Sequence, residues 1–180
     1  GDSIYIQSNA AAPVPLIEKL VDRASQLKNV QIFHILTMGP ARYIDPSYRD
    51  SFKVHALFIG PNVREAVNEG RADYTPAFLS EIPALFTSER LPVDVCLLQV
   101  SPPDEHGFCS YGVSVDCTLA ARKMATKVIA EVNRQMPRTL GRSFVHVSRL
   151  DHIVETDRPL LEHHMEEPDE VAEAVGENVA

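Results

Sequence analysis

Val54-His55-Ala56-Leu57-Phe58-Ile59 runs directly into Gly60-Pro61-Asn62 and then into Val63 to Glu69, closed by Gly70. A nearly continuous apolar run is the pattern of a strand covered on both faces, whereas a strand wetted on one side alternates. The Gly-Pro-Asn turn leads into a short helix, and Gly70 stands where a left-handed helix cap belongs. Parallel neighbours need a crossover connection, so a doubly covered strand followed by a helix points to a parallel sheet.

Other segments agree. Ser3 to Gln7 alternates weakly, and the small residues Ser8 to Pro13 make a tight turn into a helix begun near Pro15, with Leu16, Ile17, Leu20, Val21, Ala24 and Leu27 on one face. Val30 to Leu36 and Val93 to Val100 read as further strands; Asp116 is placed to cap a helix from Cys117 to about Ala125, and Lys127 to Val132 is the next strand. Repeated strand-helix units predict an α/β fold with an open, mostly parallel sheet and helices on both faces. Thr37 to Phe52 is a long loop carrying Arg42, Tyr43, Tyr48 and Arg49, and loops of that length are often functional. Arg42 or Arg49 is therefore a candidate for holding a carboxylate or phosphate. Residues 1–180 read as a single domain whose last stretch, 160–180, is an acidic linker with a helix from Pro168.

The chain has 180 residues, 44% hydrophobic and 23% charged, enough for an ordinary core without metal or disulfide staples. A net charge of −8 opposes nonspecific attraction to nucleic acid or anionic lipid, so neither is an expected partner. Three cysteines, Cys96, Cys109 and Cys117, form no disulfide framework and fit a reducing compartment, either the cytoplasm or, in a eukaryote, the mitochondrial matrix. No apolar run approaches the roughly 20 residues that span a bilayer. The start, inside a predicted strand, reads as truncated.

In open parallel sheets, ligands bind beyond the carboxyl ends of the strands. Three loops qualify: Ser8 to Pro13, Gly60 to Asn62, and Ser101-Pro102-Pro103-Asp104-Glu105-His106-Gly107 continuing to Gly112. The first would let backbone amides approach a phosphate or oxyanion, and Asn9 offers a side-chain amide, although the run also serves as a plain turn; it lacks the dinucleotide glycine triad. The third concentrates Asp104, Glu105, His106 and Ser110 in a stiffened loop suited to proton transfer, or to local capping alone. Ser110 lacks the Gly-x-Ser-x-Gly elbow. His163-His164 with Glu166 and Glu167 lacks a metal-site spacing, so no metal is expected.

Three strings carry a resemblance: His55 to Val67, Gly70-Arg71-Ala72-Asp73-Tyr74-Thr75-Pro76 continuing to Pro83, and Val100 to Asp116. Over its whole length the chain resembles the amino-terminal half of the acetyl-CoA hydrolase/transferase family, which includes 4-hydroxybutyrate CoA-transferases. The resemblance implies a two-domain enzyme with its active site between related α/β halves, a carboxy-terminal domain as partner, and a homo-oligomer. It implies acyl-CoA and a small carboxylate as substrates, coenzyme A being a substrate and no cofactor being required. The family's nucleophilic glutamate lies in the other half and maps onto no residue here. The implied substrate-binding set is Asn9, Gly60, Asp104, Glu105, His106, Gly107 and Ser110. The family's opening loop is richer in glycine than Gln7-Ser8-Asn9-Ala10. Two other readings stay open on the residues alone: a noncatalytic ligand-binding domain, and a self-contained hydrolase using His106 with Ser110 or Cys109.

Overall fold

A computed structural model describes residues 1–163 and 167–179. Seven strands form one sheet in which every pairing is parallel, as the apolar run at Val54 predicts. β1 (Ser3–Ile6), α1 (Val14–Asp22), β2 (Val30–His34), β3 (Phe52–Ala56), α2 (Pro61–Asn68), β4 (Ala72–Tyr74), α3 (Ile82–Thr87) and β5 (Val95–Val100) make up the first part. β6 (Phe108–Ser110), α4 (Thr118–Met124), β7 (Lys127–Asn133), β8 (Phe144–His146), β9 (His152–Thr156) and α5 (Glu170–Val179) complete it. The spatial order is β4-β3-β2-β1-β5-β7-β9, and β6 and β8 make a separate antiparallel ribbon.

The chain winds outward from β1 to β4, then returns through α3 to place β5 on the other side of β1. Because parallel crossovers keep one hand, reversing direction moves the helices to the opposite face. α1 and α2 bury Ile17, Val21, Val63 and Ala66 against Ile6, Ile32 and Val54; α3 and α4 bury Ile82, Phe86 and Ala121 against Tyr5, Phe33 and Leu98. Two apolar layers thus sandwich the sheet. β1 and β5 flank the reversal point, where the loops beyond their ends diverge and leave room for a ligand.

Several sequence-based boundaries move. The first helix stops at Asp22 and continues as a 3-10 turn, Ala24–Gln26. Phe52, at the end of the predicted long loop, already belongs to β3, and that loop holds two 3-10 turns, Arg42–Ile44 and Pro46–Tyr48. Tyr43 is core rather than site: it is buried in the α1 and α2 layer. The helix expected from Cys117 begins at Thr118 with Cys117 in the cap position, and Asp116, one residue earlier, accepts the Thr118 amide at 3.0 Å.

The exit from the sheet is pinned. Arg158 closes on the fully buried Glu131 at 2.6 and 3.0 Å, and Leu161 lies against Gly39. No helix of the described residues is long and apolar enough to cross a membrane. Of the tempting His163-to-Glu167 string, residues 164–166 lie outside the described residues.

Candidate functional site

Asn9 sits just past β1 with φ of +54°, a left-handed conformation that asparagine tolerates better than most residues. Its amide donates to Leu36 O at 2.6 Å, and it bridges to Thr37 beyond β2. Parallel register therefore draws the Ser8 to Pro13 turn beside Leu36-Thr37-Met38-Gly39. The amino-terminal turn of α2 closes the third side: Asn62 Nδ2 donates to Thr37 O at 3.1 Å, Thr37 Oγ1 at 3.3 Å and Gly39 O at 3.0 Å.

These three loops enclose a cavity of about 590 Å³, within the roughly 300–1,000 Å³ of small-ligand pockets. Ala10, Leu36, Met38 and Pro61 give it an apolar wall, and Asn9, Thr37, Asn62 and His163 a polar one. A second cavity of about 290 Å³ shares Asn9 and Leu36 and reaches Phe58, Leu79 and Asp116. Gly60 is required by space: a β-carbon there would lie 2.8 Å from Leu36 Cδ1 and 3.0 Å from Asn62 Oδ1.

Behind Asn9 a polar chain runs inward. Its Nδ2 reaches Ser114 Oγ at 3.5 Å, Ser114 Oγ donates to Asp116 Oδ2 at 2.7 Å, and Gln7 Nε2 donates to Tyr111 O and Ser114 O at 3.1 and 2.9 Å. Gln7 is fully buried, and its Oε1 accepts the Gln99 amide at 2.7 Å. A buried amide satisfied on both atoms fixes the turn above it. Beneath the cavity side of the sheet, His34 is fully buried with neither ring nitrogen hydrogen-bonded. Burial lowers its pKa to about 4; the nearby Ile35 backbone opposes this without closing a hydrogen bond.

The Asp104 loop is built differently. Asp104 accepts the amides of Phe108 at 2.8 Å and His106 at 3.0 Å and binds Arg138, and the Phe108 amide foremost holds its carboxyl below the usual range. Arg138 also donates to Phe108 O at 2.8 Å and lies over the Phe144 ring at 4.7 Å. Gly107, at φ of +82°, makes room for His146. Ser110 Oγ contacts Thr139 Oγ1 at 3.1 Å and accepts the amides of Gly112 and Thr139. These residues spend their polar groups on holding the hairpin.

The self-contained hydrolase is not assembled. Among the described residues no hydrogen bond joins His106 to Ser110 or Cys109. The Cys109 thiol is buried and pushed up to about 11, far from a thiolate at neutral pH. Glu105 and His106 project from the tip, 3.6 Å from one another and largely exposed. Of the candidate residues, Asn9 lines the cavity and Gly60 shapes it; Asp104, Glu105, His106, Gly107 and Ser110 line neither cavity. Arg42 and Arg49 are exposed and line neither, Arg49 lying 3.9 Å from Asp50. Leu36, Thr37, Met38 and Ser114 were not legible as site residues, because strand register brings them to Asn9 and no local motif marks them.

Residues 1–162 match the acetyl-CoA hydrolase/transferase N-terminal domain family. The chain belongs to that family. It is 50% identical over 168 residues to the 4-hydroxybutyrate coenzyme A transferase of Clostridium kluyveri, covering 93% of this chain and 39% of that protein. It is 42% identical over 182 residues to the succinyl-CoA:acetate/propanoyl-CoA:succinate CoA transferase of Fasciola hepatica, covering all of this chain and 38% of the relative. Among solved structures, the 4-hydroxybutyrate CoA-transferase of Porphyromonas gingivalis superposes with a TM-score of 0.75 at 35% identity, over 91% of this chain and 37% of that one. RipA from Yersinia pestis superposes with a TM-score of 0.85 at 27% identity, over 94% of this chain and 42% of its own. The chain thus spans about two fifths of the length of the relatives it matches. The homologues that show the family are CoA-transferases, and the expected fold is the one observed.

Proposed function

We propose that this domain forms the acyl-substrate wall of a CoA-transferase active site completed by the remaining part of a longer protein. The observation that carries the reading is the Asn9 cavity beyond the carboxyl ends of the parallel strands β1, β2 and β3, in a chain whose relatives are CoA-transferases. In the chemistry the family implies, a glutamate carboxylate outside residues 1–180 attacks the acyl-CoA thioester and displaces CoA thiolate, leaving a mixed anhydride. The thiolate then attacks the glutamyl carbonyl, releases the first carboxylate and leaves a glutamyl-CoA thioester. An acceptor carboxylate reverses both steps, so no cofactor is needed and most of the thioester energy is conserved. Water as acceptor converts transfer to hydrolysis.

Asn9 and the turn amides beside it orient the acyl carbonyl, and Gly60 keeps the wall open. Asp104, Gly107 and Ser110 hold the hairpin that presents Glu105 and His106 to the other half of the cleft. The protein works in the cytoplasm, or in the mitochondrial matrix of a eukaryote, as a homo-oligomer. The test is acetyl-CoA plus carboxylate exchange, followed by mass spectrometry, on this chain and on the complete protein side by side. Exchange by the complete protein alone is expected; exchange or hydrolysis by residues 1–180 would place the nucleophile within them and overturn the split site.

A further inference from the structure

Four of the 17 basic residues in this acidic chain converge on one corner of the domain. Arg122, Lys123 and Arg149 line a depression of about 240 Å³, and Arg122, Lys123 and Arg142 line another of about 360 Å³ beside it. The two shared residues stand in the last turn of α4, and the other two flank β8, a separate part of the chain. Cations in the last turn of a helix complement its dipole, which accounts for Arg122 and Lys123 alone. It gives Arg142 and Arg149 no reason to face the same place.

Among the described residues none of the four is paired with a carboxylate. Arg122 is held from beneath instead: its Nε donates to the hydroxyl of the fully buried Tyr111 at 3.1 Å. A guanidinium fixed at Nε is preorganised to fork onto phosphate oxygens with its terminal nitrogens. Asp151, the carboxylate that lines the smaller depression, is already engaged by the Val128 amide at 2.8 Å and Lys127 Nζ at 3.3 Å. Like charges gathered without a counter-charge raise the local potential, and a compact anion relieves it.

Val128 lies at the start of β7 and Asp151 just before β9, so the corner sits at the amino ends of these strands. The Asn9 cavity lies beyond carboxyl ends, and the seven residues of β7, at about 3.3 Å each, put on the order of 20 Å between the two ends of the sheet. Leu119 and Phe144 line the larger depression and give an apolar shelf beside the charges, which a flat ring covers and a bare phosphate does not. A long polyanion would also meet the net charge of −8 that the chain carries, so the corner suits a small anion rather than nucleic acid.

We propose that this corner is a second site, separate from the acyl-CoA cleft, that binds a free nucleoside diphosphate. Its phosphates meet Arg122, Lys123 and Arg149, and its base lies over Leu119 and Phe144 beside Arg142. The proposal does not depend on the transferase reading. The experiment is calorimetric titration of the complete protein with ADP at low salt, alone and with saturating CoA, which carries the same nucleotide chemistry. ADP is expected to bind in both conditions. Lys123→Ala with Arg149→Ala is expected to weaken it by about tenfold or more, the factor that a hydrogen bond to a charged group is worth. Arg142→Glu should act in the same direction and serves should the double variant fail to fold. Exchange of labelled acetate into acetyl-CoA should be unchanged in these variants. Pyrophosphate is expected to bind about tenfold more weakly than ADP, since it lacks the stacking ring. No ADP binding, or binding unmoved in the folded variants, would overturn the proposal. Loss of ADP binding under saturating CoA would assign the group to CoA itself and overturn the second site, and pyrophosphate equal to ADP would overturn the nucleoside.

Discussion

Two loops leave the centre of the sheet, one after β1 and one after β5, and they use polar residues in opposite ways. The β5 loop looks the more chemical: Asp104, Glu105, His106 and Ser110 lie within ten residues. Yet Asp104 is taken up by two amides and Arg138, and Ser110 by Thr139 and Gly112, so most of that chemistry goes into making a corner. The β1 loop is a run of small, plain residues, and it borders the cavity because register brings Leu36-Thr37-Met38 beside it. Density of reactive side chains marks a rigid turn here; sparseness marks the space a ligand can enter.

The comparison is broken most severely where the chain leaves β9, at the Arg158 side chain that ties β7 to the Ala12 carbonyl of the β1 loop. Arg158→Met leaves Glu131 wholly buried and without its cation, a change that costs about 3–5 kcal/mol. Urea denaturation at neutral pH should show that loss, and a smaller decrement than about 1 kcal/mol would mean the pair is solvated in solution. On the β5 side the corresponding break is Gly112→Ala. The backbone there has φ of +68°, and the added carbon would lie 2.0 Å from Met136 Sδ. Left-handed strain and overpacking together should cost about 2–4 kcal/mol by the same measurement.

How far the sequence carries differs between the two loops as well. The apolar run at Val54 to Ile59 was enough to assign a parallel sheet, because covering both faces leaves a continuous pattern. β4 and the β6-β8 ribbon were not legible, since strands of three residues carry almost no periodicity. Asn9 was legible as a polar residue in a tight turn and Gly60 as the entry to a helix. Leu36 and Met38 were not, because apolar residues after a strand look like more core. The hydrolase grouping of His106 with Ser110 or Cys109 came from sequence proximity, and the hairpin geometry separates their roles.

Acid should take the two sides apart in order. His34 has its pKa lowered by burial to about 4, against a usual value near 6.5, so the unfolded chain binds the proton more readily between these limits. Its contribution is complete above about pH 6.5 and is lost as pH falls toward 4, amounting to about 2 kcal/mol by pH 5. Asp104 is a depressed carboxyl, so its support of the hairpin persists above the ordinary carboxylate range and goes only as pH falls through its lowered value. His34→Leu also removes two unpartnered buried nitrogens. It should leave stability at pH 7 equal or higher and flatten the decline from pH 7 to 5 by about 2 kcal/mol, read from urea midpoints. An unchanged decline would show that His34 is hydrated or protonated in the folded state.

The smallest stability effect belongs to the tip of the hairpin. Glu105 and His106 are largely exposed, and their side chains lie 3.6 Å from each other. Replacing both, as Glu105→Gln with His106→Ala, should leave stability within about 0.5 kcal/mol. The same double variant in the complete protein should lower CoA exchange by about tenfold or more if these side chains act across the cleft, since a positioned acid or base contributes at least that much. Unchanged exchange would make the whole Asp104 loop a scaffold and leave the Asn9 side as this domain's sole contact with substrate. A loss of stability would show instead that the tip packs on something within the domain, against its exposure. Either result refines the contrast between a loop that spends its polar groups on itself and one that keeps a cavity open.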